Sequence, residues 1–164
     1  MSLADITDEQ IERYARHLIM SDIGAAGQAR LMAAKVLVVG AGGLGSPLIQ
    51  YLAAAGVGTI GIVDDDVVDL TNLQRQIIHK TSAIGTPKTA SAAAWVKAIN
   101  PDVKVVEHNE RLDEKSAERL INDYDIVADG SDTFKTRLLV SDTCVTHNKT
   151  LVSAALGPLE GQIA

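Results

Sequence analysis

Apolar positions recur along this chain in two rhythms. After Thr7, residues Ile11, Tyr14, Ala15, Leu18 and Ile19 follow the i, i+3, i+4, i+7, i+8 spacing of a helix with one buried stripe. Thr7 and Gln10 form a capping box, with Ile6 and Ile11 as its hydrophobic staple, and Glu9, Glu12, Arg13, Arg16 and His17 fall on or near the polar side. Arg13 and Arg16 are therefore free to reach outward. A second short helical stretch runs to about Ala34. The run Val36-Leu37-Val38-Val39 then reads as a strand buried on both faces, the signature of a parallel sheet.

From there strand and helix alternate. The pattern predicts a helix from Pro47 to Ala55 closed by Gly56, a strand from Thr59 to Val63 and an irregular segment to Thr86. A helix from Pro87 to Ile99, a strand near Val103 to Val106, a helix from Asp113 to Asn122 and a strand from Asp125 to Ala128 follow. A helix from Thr133 to Thr146 and a strand from Thr150 to Ala154 close the series, and Gly161 to Ala164 read as the start of another strand. The expected fold is α/β, a Rossmann-like, mostly parallel sheet with helices on both faces, preceded by an N-terminal helical segment. The expected division is 1–34 helical and 35–164 Rossmann-like, the leading part of a longer chain.

Val36 to Val63 holds 28 consecutive residues free of Asp, Glu, Lys and Arg, enough to span a bilayer, but seven glycines and Pro47 break it into short pieces. A membrane is therefore not expected as a partner. The formal net charge of −6, with no basic run, argues against nucleic acid. A single cysteine, Cys144, can form no internal disulfide, which points to the cytoplasm, and gives zinc no support within these residues. Cys144 and His147 lie three apart on one helix, too few ligands for a site, and Trp95 reads as core.

Candidate chemistry gathers at the expected carboxyl ends of the strands. Gly40-Ala41-Gly42-Gly43-Leu44-Gly45 links a strand to a helix, the placement in which glycines let backbone amides approach a phosphate. Asp64 ends the next strand, where an acid suits a ribose hydroxyl, and Asp65, Asp66 and Asp69 add three more carboxylates. Beside phosphates such a cluster needs a divalent cation or basic partners, for which Arg75, Lys80 and Lys88 are candidates. With Thr86 as cap and Pro87 opening the helix, Lys88 would sit in a first turn whose dipole disfavours a cation by roughly 0.3 to 1 kcal/mol. A bound anion would reverse that sign. Asp132, after the strand ending near Asp129, suits either a helix cap or a cation ligand.

The motifs RYARHL, VLVVGAGGLGSP, VDDDVVDLTNLQRQ, GTPKT, INP and DGSDTFKTR occur in the order of the ThiF/MoeB/HesA family of ubiquitin-activating-like adenylyltransferases, which the chain resembles over nearly its whole length. The resemblance implies ATP and Mg2+ as cofactors. It implies attack of the C-terminal glycine carboxylate of a ubiquitin-like sulfur-carrier protein on the α-phosphorus, giving an acyl-adenylate and pyrophosphate. By motif position Gly40, Gly42 and Gly45 would form the nucleotide loop, and Asp64 would hold the ribose, with Asp66 and Gln76 also lining the nucleotide. Asn72, Arg75 and Lys88 would surround the phosphates, and Asp132 would coordinate magnesium. Arg16 would reach the triphosphate of a neighbouring subunit, which implies a homodimer. Arg16, Arg75, Lys88 and Asp132 are thus the expected catalytic set. Thr133 stands where the family commonly has Asn.

Two other readings compete. The glycine turn and Asp64 alone suit an NAD-dependent oxidoreductase equally well, but such a domain needs neither the extra acids nor the Arg75/Lys88 pair. The shortness of the chain is compatible with a non-catalytic nucleotide-binding subunit.

Overall fold

The computed structural model describes residues 6–164. At its centre is a six-stranded sheet in the order β3-β2-β1-β4-β5-β6, formed by β1 (Lys35–Val39), β2 (Thr59–Val63), β3 (Lys104–His108), β4 (Ile126–Asp129), β5 (Thr150–Leu156) and β6 (Gly161–Ile163). The first five are parallel and β6 runs antiparallel to β5. Strand order reverses direction beside β1, so the carboxyl ends of β1 and β4 flank the crevice in which Rossmann-type sheets place their ligands.

The alternation of β1 supplies both halves of the core. Val36 and Val38 join Ile49, Ile60, Ile62 and Val96 on one face, beneath α4 (Gly45–Ala55) and α5 (Lys88–Ile99). Leu37 and Val39 join Leu120, Ile121, Val127 and Val140 on the other, beneath α6 (Glu114–Asn122) and α7 (Phe134–Thr146). Trp95, read as core, is partly buried and packs against the first cluster. No helix among the described residues is long and apolar enough to cross a membrane.

The N-terminal segment departs from the expected single stripe. Thr7 makes the predicted capping box with Gln10, but the helix breaks at Tyr14 into α1 (Asp8–Arg13) and α2 (Ala15–Leu18), before α3 (Gly24–Ala33). Tyr14 is buried and its hydroxyl accepts a hydrogen bond from Asn100 Nδ2 at 2.8 Å, while Ile11 and Ile19 remain 42% and 75% exposed. One anchored aromatic thus overrides the helical period, because the buried hydrogen bond fixes the chain direction more firmly than the exposed isoleucines can. Arg13, expected to reach outward, folds back and donates to Ile99 O at 2.9 Å, satisfying the end of α5. Arg16 stays exposed, and its side chain has no hydrogen bond or ion pair among the described residues.

Two helix starts also differ from the sequence reading. The cap of α5 is Pro87 rather than Thr86, whose hydroxyl donates instead to Ala83 O at 2.7 Å. The cap of α7 is Thr133, which accepts from Thr136 N at 3.3 Å, so Asp132 does not cap it and its carboxylate is left for other work. Thr caps a helix nearly as well as Asn, so this departure from the family pattern leaves the local structure intact.

Candidate active site

A cavity of about 390 Å3 opens at the carboxyl ends of β1, β2 and β4. Of the residues singled out in the sequence, Gly40, Gly42, Asp64, Asp66, Arg75, Gln76, Lys88 and Asp132 all line it. Others do not. Gly45 is buried behind the turn, Asn72 accepts from Asp69 N at 3.1 Å within a short 3-10 turn, and Arg16 lies on α2 away from the cavity. Lys80 is exposed and does not line it either.

The glycine turn is shaped by backbone contacts. Gly40 adopts φ +90° and its N–H donates to Val63 O at 2.9 Å, joining the end of β1 to that of β2. α4 then starts with no side-chain cap; Ser46 N donates to Gly42 O at 2.9 Å and Pro47 has no N–H, which leaves Gly45 as the one of the first three residues whose amide is open to an anion.

Three of the four carboxylates have separate partners, which relieves the repulsion the sequence implied. Asp69 caps the 3-10 turn Leu70–Asn72 and its carboxyl is held below the usual range by hydrogen bonds from Thr71. Asp64 accepts from Ala41 N at 2.8 Å through Oδ2 and from Asp66 N at 2.9 Å through Oδ1, which fixes its plane while leaving each oxygen a lone pair. Asp66 pairs with Lys88 at 2.7 Å, so the cation in the first turn of α5 already has a partner that offsets the dipole. The Lys88 side chain is 6% exposed while that of Asp66 is 67% exposed, so the lysine is held at the cavity wall rather than in bulk water.

Two buried polar atoms in the wall have no partner among the described residues: Oε1 of Gln76 and Oγ of Ser131. An unsatisfied buried acceptor or hydroxyl costs about 1 to 3 kcal/mol, so these atoms mark where a polar ligand belongs. Asp132, next to Ser131, is exposed at the cavity, and among the described residues no hydrogen bond or ion pair engages its carboxylate. The wall therefore joins oxygen donors that suit a hard divalent cation to N–H and cationic groups that suit phosphates.

Sequence reasoning missed several contributors. Arg111 and Leu112 line the cavity because β3 runs two residues past its predicted end, bringing Glu110 to Leu112 to the ligand edge. Their position directly after a strand was the available signal. Arg137 donates to the carbonyls of Ser131 and Ala154 and lies 4.0 Å from buried Asp129, clamping the turn that carries Asp132. His79 is buried against the glycine turn.

Cys144 takes no part. It is buried, and that burial, with the negative charge of Asp129, pushes its thiol above the ordinary value despite Lys149 nearby. His147 points instead toward Glu118, at 3.8 Å. Iodoacetamide is expected to alkylate Cys144 roughly a hundredfold more slowly in the native protein than in urea, read by mass spectrometry. Equal rates would mean the thiol is accessible.

A doubly wound sheet with a glycine turn, an acid and cations gathered at its switch point defines a Rossmann-type α/β protein. The ThiF family model matches residues 14–164, and the chain belongs to that family. The SAMP-activating enzyme E1 of Haloferax volcanii is 50% identical over 153 residues, which are 93% of this chain and 57% of that protein. The adenylyltransferase and sulfurtransferase MOCS3-2 of Zea mays is 52% identical over 155 residues, 94% of this chain and 32% of that protein. The chain thus spans between a third and somewhat over half the length of these relatives. Among solved structures, the E. coli tRNA N6-threonylcarbamoyladenosine dehydratase TcdA in complex with ATP superposes with a TM-score of 0.85 at 26% identity, covering 90% of this chain and 60% of that one.

Proposed function

We propose that this chain is the nucleotide-binding part of an adenylyltransferase that activates the C-terminal glycine carboxylate of a ubiquitin-like sulfur-carrier protein with ATP. The observation that carries the reading is one cavity lined by Lys88, Arg75, the glycine turn from Gly40 to Gly43 and Asp132, whose carboxylate is unengaged among the described residues. Relatives named for adenylyl transfer and carrier activation, and a structural neighbour crystallised with ATP, support it.

In this reading Asp64 holds the ribose hydroxyls, and the turn from Gly40 to Gly42 approaches the phosphates. Lys88 and Arg75 offset charge that accumulates as a carrier carboxylate oxygen bonds to the α-phosphorus and the α–β bridging oxygen departs with pyrophosphate. No protein nucleophile is needed, because orientation and cationic stabilisation act directly on the transferring group. Gln76 Oε1 and Ser131 Oγ gain partners when the ligand enters. Asp132 with water would hold Mg2+, which supplies charge neutralisation at the phosphates. Arg16 is offered to a second copy of the chain, for which the exposed Ile19 and Met20 beside it form an apolar margin.

Isotope exchange between pyrophosphate and ATP tests the proposal. Label is expected to enter ATP only when a carrier ending in glycine is present. Mg-ATP binding without exchange under any carrier would favour a non-catalytic nucleotide-binding subunit, and tight NAD binding without ATP binding would favour an oxidoreductase.

A further inference from the structure

We infer that His79 is a positioning residue that locks the glycine turn to the two segments carrying Arg75 and Lys88. The inference rests on the nucleotide-binding reading above. His79 is 6% exposed, and both its ring nitrogens are engaged: Nε2 lies 3.0 Å from Ala41 O and Nδ1 lies 2.9 Å from Ser91 Oγ.

The partners fix the tautomer. A backbone carbonyl only accepts, so Nε2 carries the proton and donates to Ala41 O, while Nδ1 of the neutral ring accepts from the Ser91 hydroxyl. Burial keeps the imidazole neutral by pushing its pKa below the usual value, and the Lys88 charge acts in the same direction, against the Ala41 hydrogen bond and Asp64.

What those two bonds join is the substance of the inference. Ala41 is fully buried between Gly40 and Gly42, and its peptide groups are held on both sides: its N–H by Asp64 Oδ2 at 2.8 Å and its C=O by His79. Ser91 lies three residues after Lys88 on α5, one helical turn along the same face. His79 itself follows Arg75 and Gln76, and its N–H donates to Gln76 O at 3.1 Å. A single ring therefore spans the turn that approaches the phosphates, the segment bearing Arg75 and the helix bearing Lys88. Without it Ala41 O would be a buried acceptor lacking a partner, and the turn would be free to shift relative to Lys88.

A merely space-filling histidine would be replaceable by phenylalanine, and the hydrogen-bonding role would not. Isothermal titration of Mg-ATP into the chain is expected to show binding weakened about thirtyfold in His79→Phe and about threefold in Ser91→Ala. His79→Gln, whose amide N–H sits near the position of Nε2, is expected to return to within about threefold of wild type. A folded His79→Phe that binds like wild type, or a His79→Gln as weak as His79→Phe, overturns the inference. The 15N shifts of the wild-type ring give a readout that does not depend on any variant folding. They are expected to report the Nε2–H tautomer at neutral pH, and the Nδ1–H tautomer would overturn the inference by removing the donor to Ala41. Failure of the wild-type chain to bind Mg-ATP would instead sink the nucleotide reading itself.

Discussion

Lys88→Met is expected to weaken Mg-ATP binding about fiftyfold while leaving the thermal midpoint within about 2 °C of wild type. The two expectations come from the unequal burial of one ion pair. The Lys88 side chain is 6% exposed at the cavity wall, whereas that of Asp66 is 67% exposed. Removing the cation leaves the acid in water, where an unpaired carboxylate costs little, and methionine keeps the aliphatic stem that packs at the start of α5. The stability contribution of a pair with one member so exposed is accordingly small. A polyphosphate, by contrast, loses a charge-assisted hydrogen bond in a partly dry site, which is worth considerably more than its counterpart on a surface. Calorimetry and circular dichroism melting on the same preparations check both halves. Unchanged affinity would remove Lys88 from the ligand site and leave it a structural partner of Asp66, and a large loss of stability would mean that the pair is a fold element.

What was legible in the sequence followed from strong local signals. β2 spans Thr59–Val63 as read, because a five-residue apolar run bounded by Gly58 and Asp64 has no competing periodicity. The site at the carboxyl ends of the strands was legible for the same reason: Gly40 and Asp64 each sit one residue beyond a strand, Lys88 opens α5, Asp132 lies three residues past β4, and all four line one cavity. The misses are contacts between segments far apart in sequence. The break at Tyr14 depends on Asn100, 86 residues away, and nothing in the helical period of the N-terminus announces it. His79 bonds to Ala41 and Ser91 across the sheet edge, so within its own segment it reads only as a polar residue after Ile77 and Ile78. Arg111 was missed because β3 is a weakly patterned edge strand, exposed or half-buried along its length, and its end was placed two residues short. Local chemistry thus located the site, while long-range hydrogen bonds decided which side chains complete it.

The second large effect is expected at Gly45, where alanine should destabilise the fold by about 3 kcal/mol and lower the thermal midpoint by about 10 °C. A Cβ placed there would lie 1.8 Å from Gly40 O and 3.8 Å from Val38 Cγ1. The obstacle is a backbone carbonyl, which has no rotamer to escape into. Its residue is tied as well, since Gly40 N donates to Val63 O and Gly40 occupies the left-handed region at φ +90°. Relief requires α4 to lift from β1 or the turn to open, and either movement also displaces the amides proposed to meet the phosphates, so Mg-ATP affinity should fall with stability. Gly43→Ala separates this clash from a general sensitivity of the glycine run. Its Cβ would meet nothing closer than the Arg75 side chain at 3.8 Å, so its midpoint is expected within about 2 °C of wild type. Equal midpoints for Gly45→Ala and wild type would mean that helix and turn can separate at little cost. The close packing of α4 on β1 would then not be what sets the shape of the cavity.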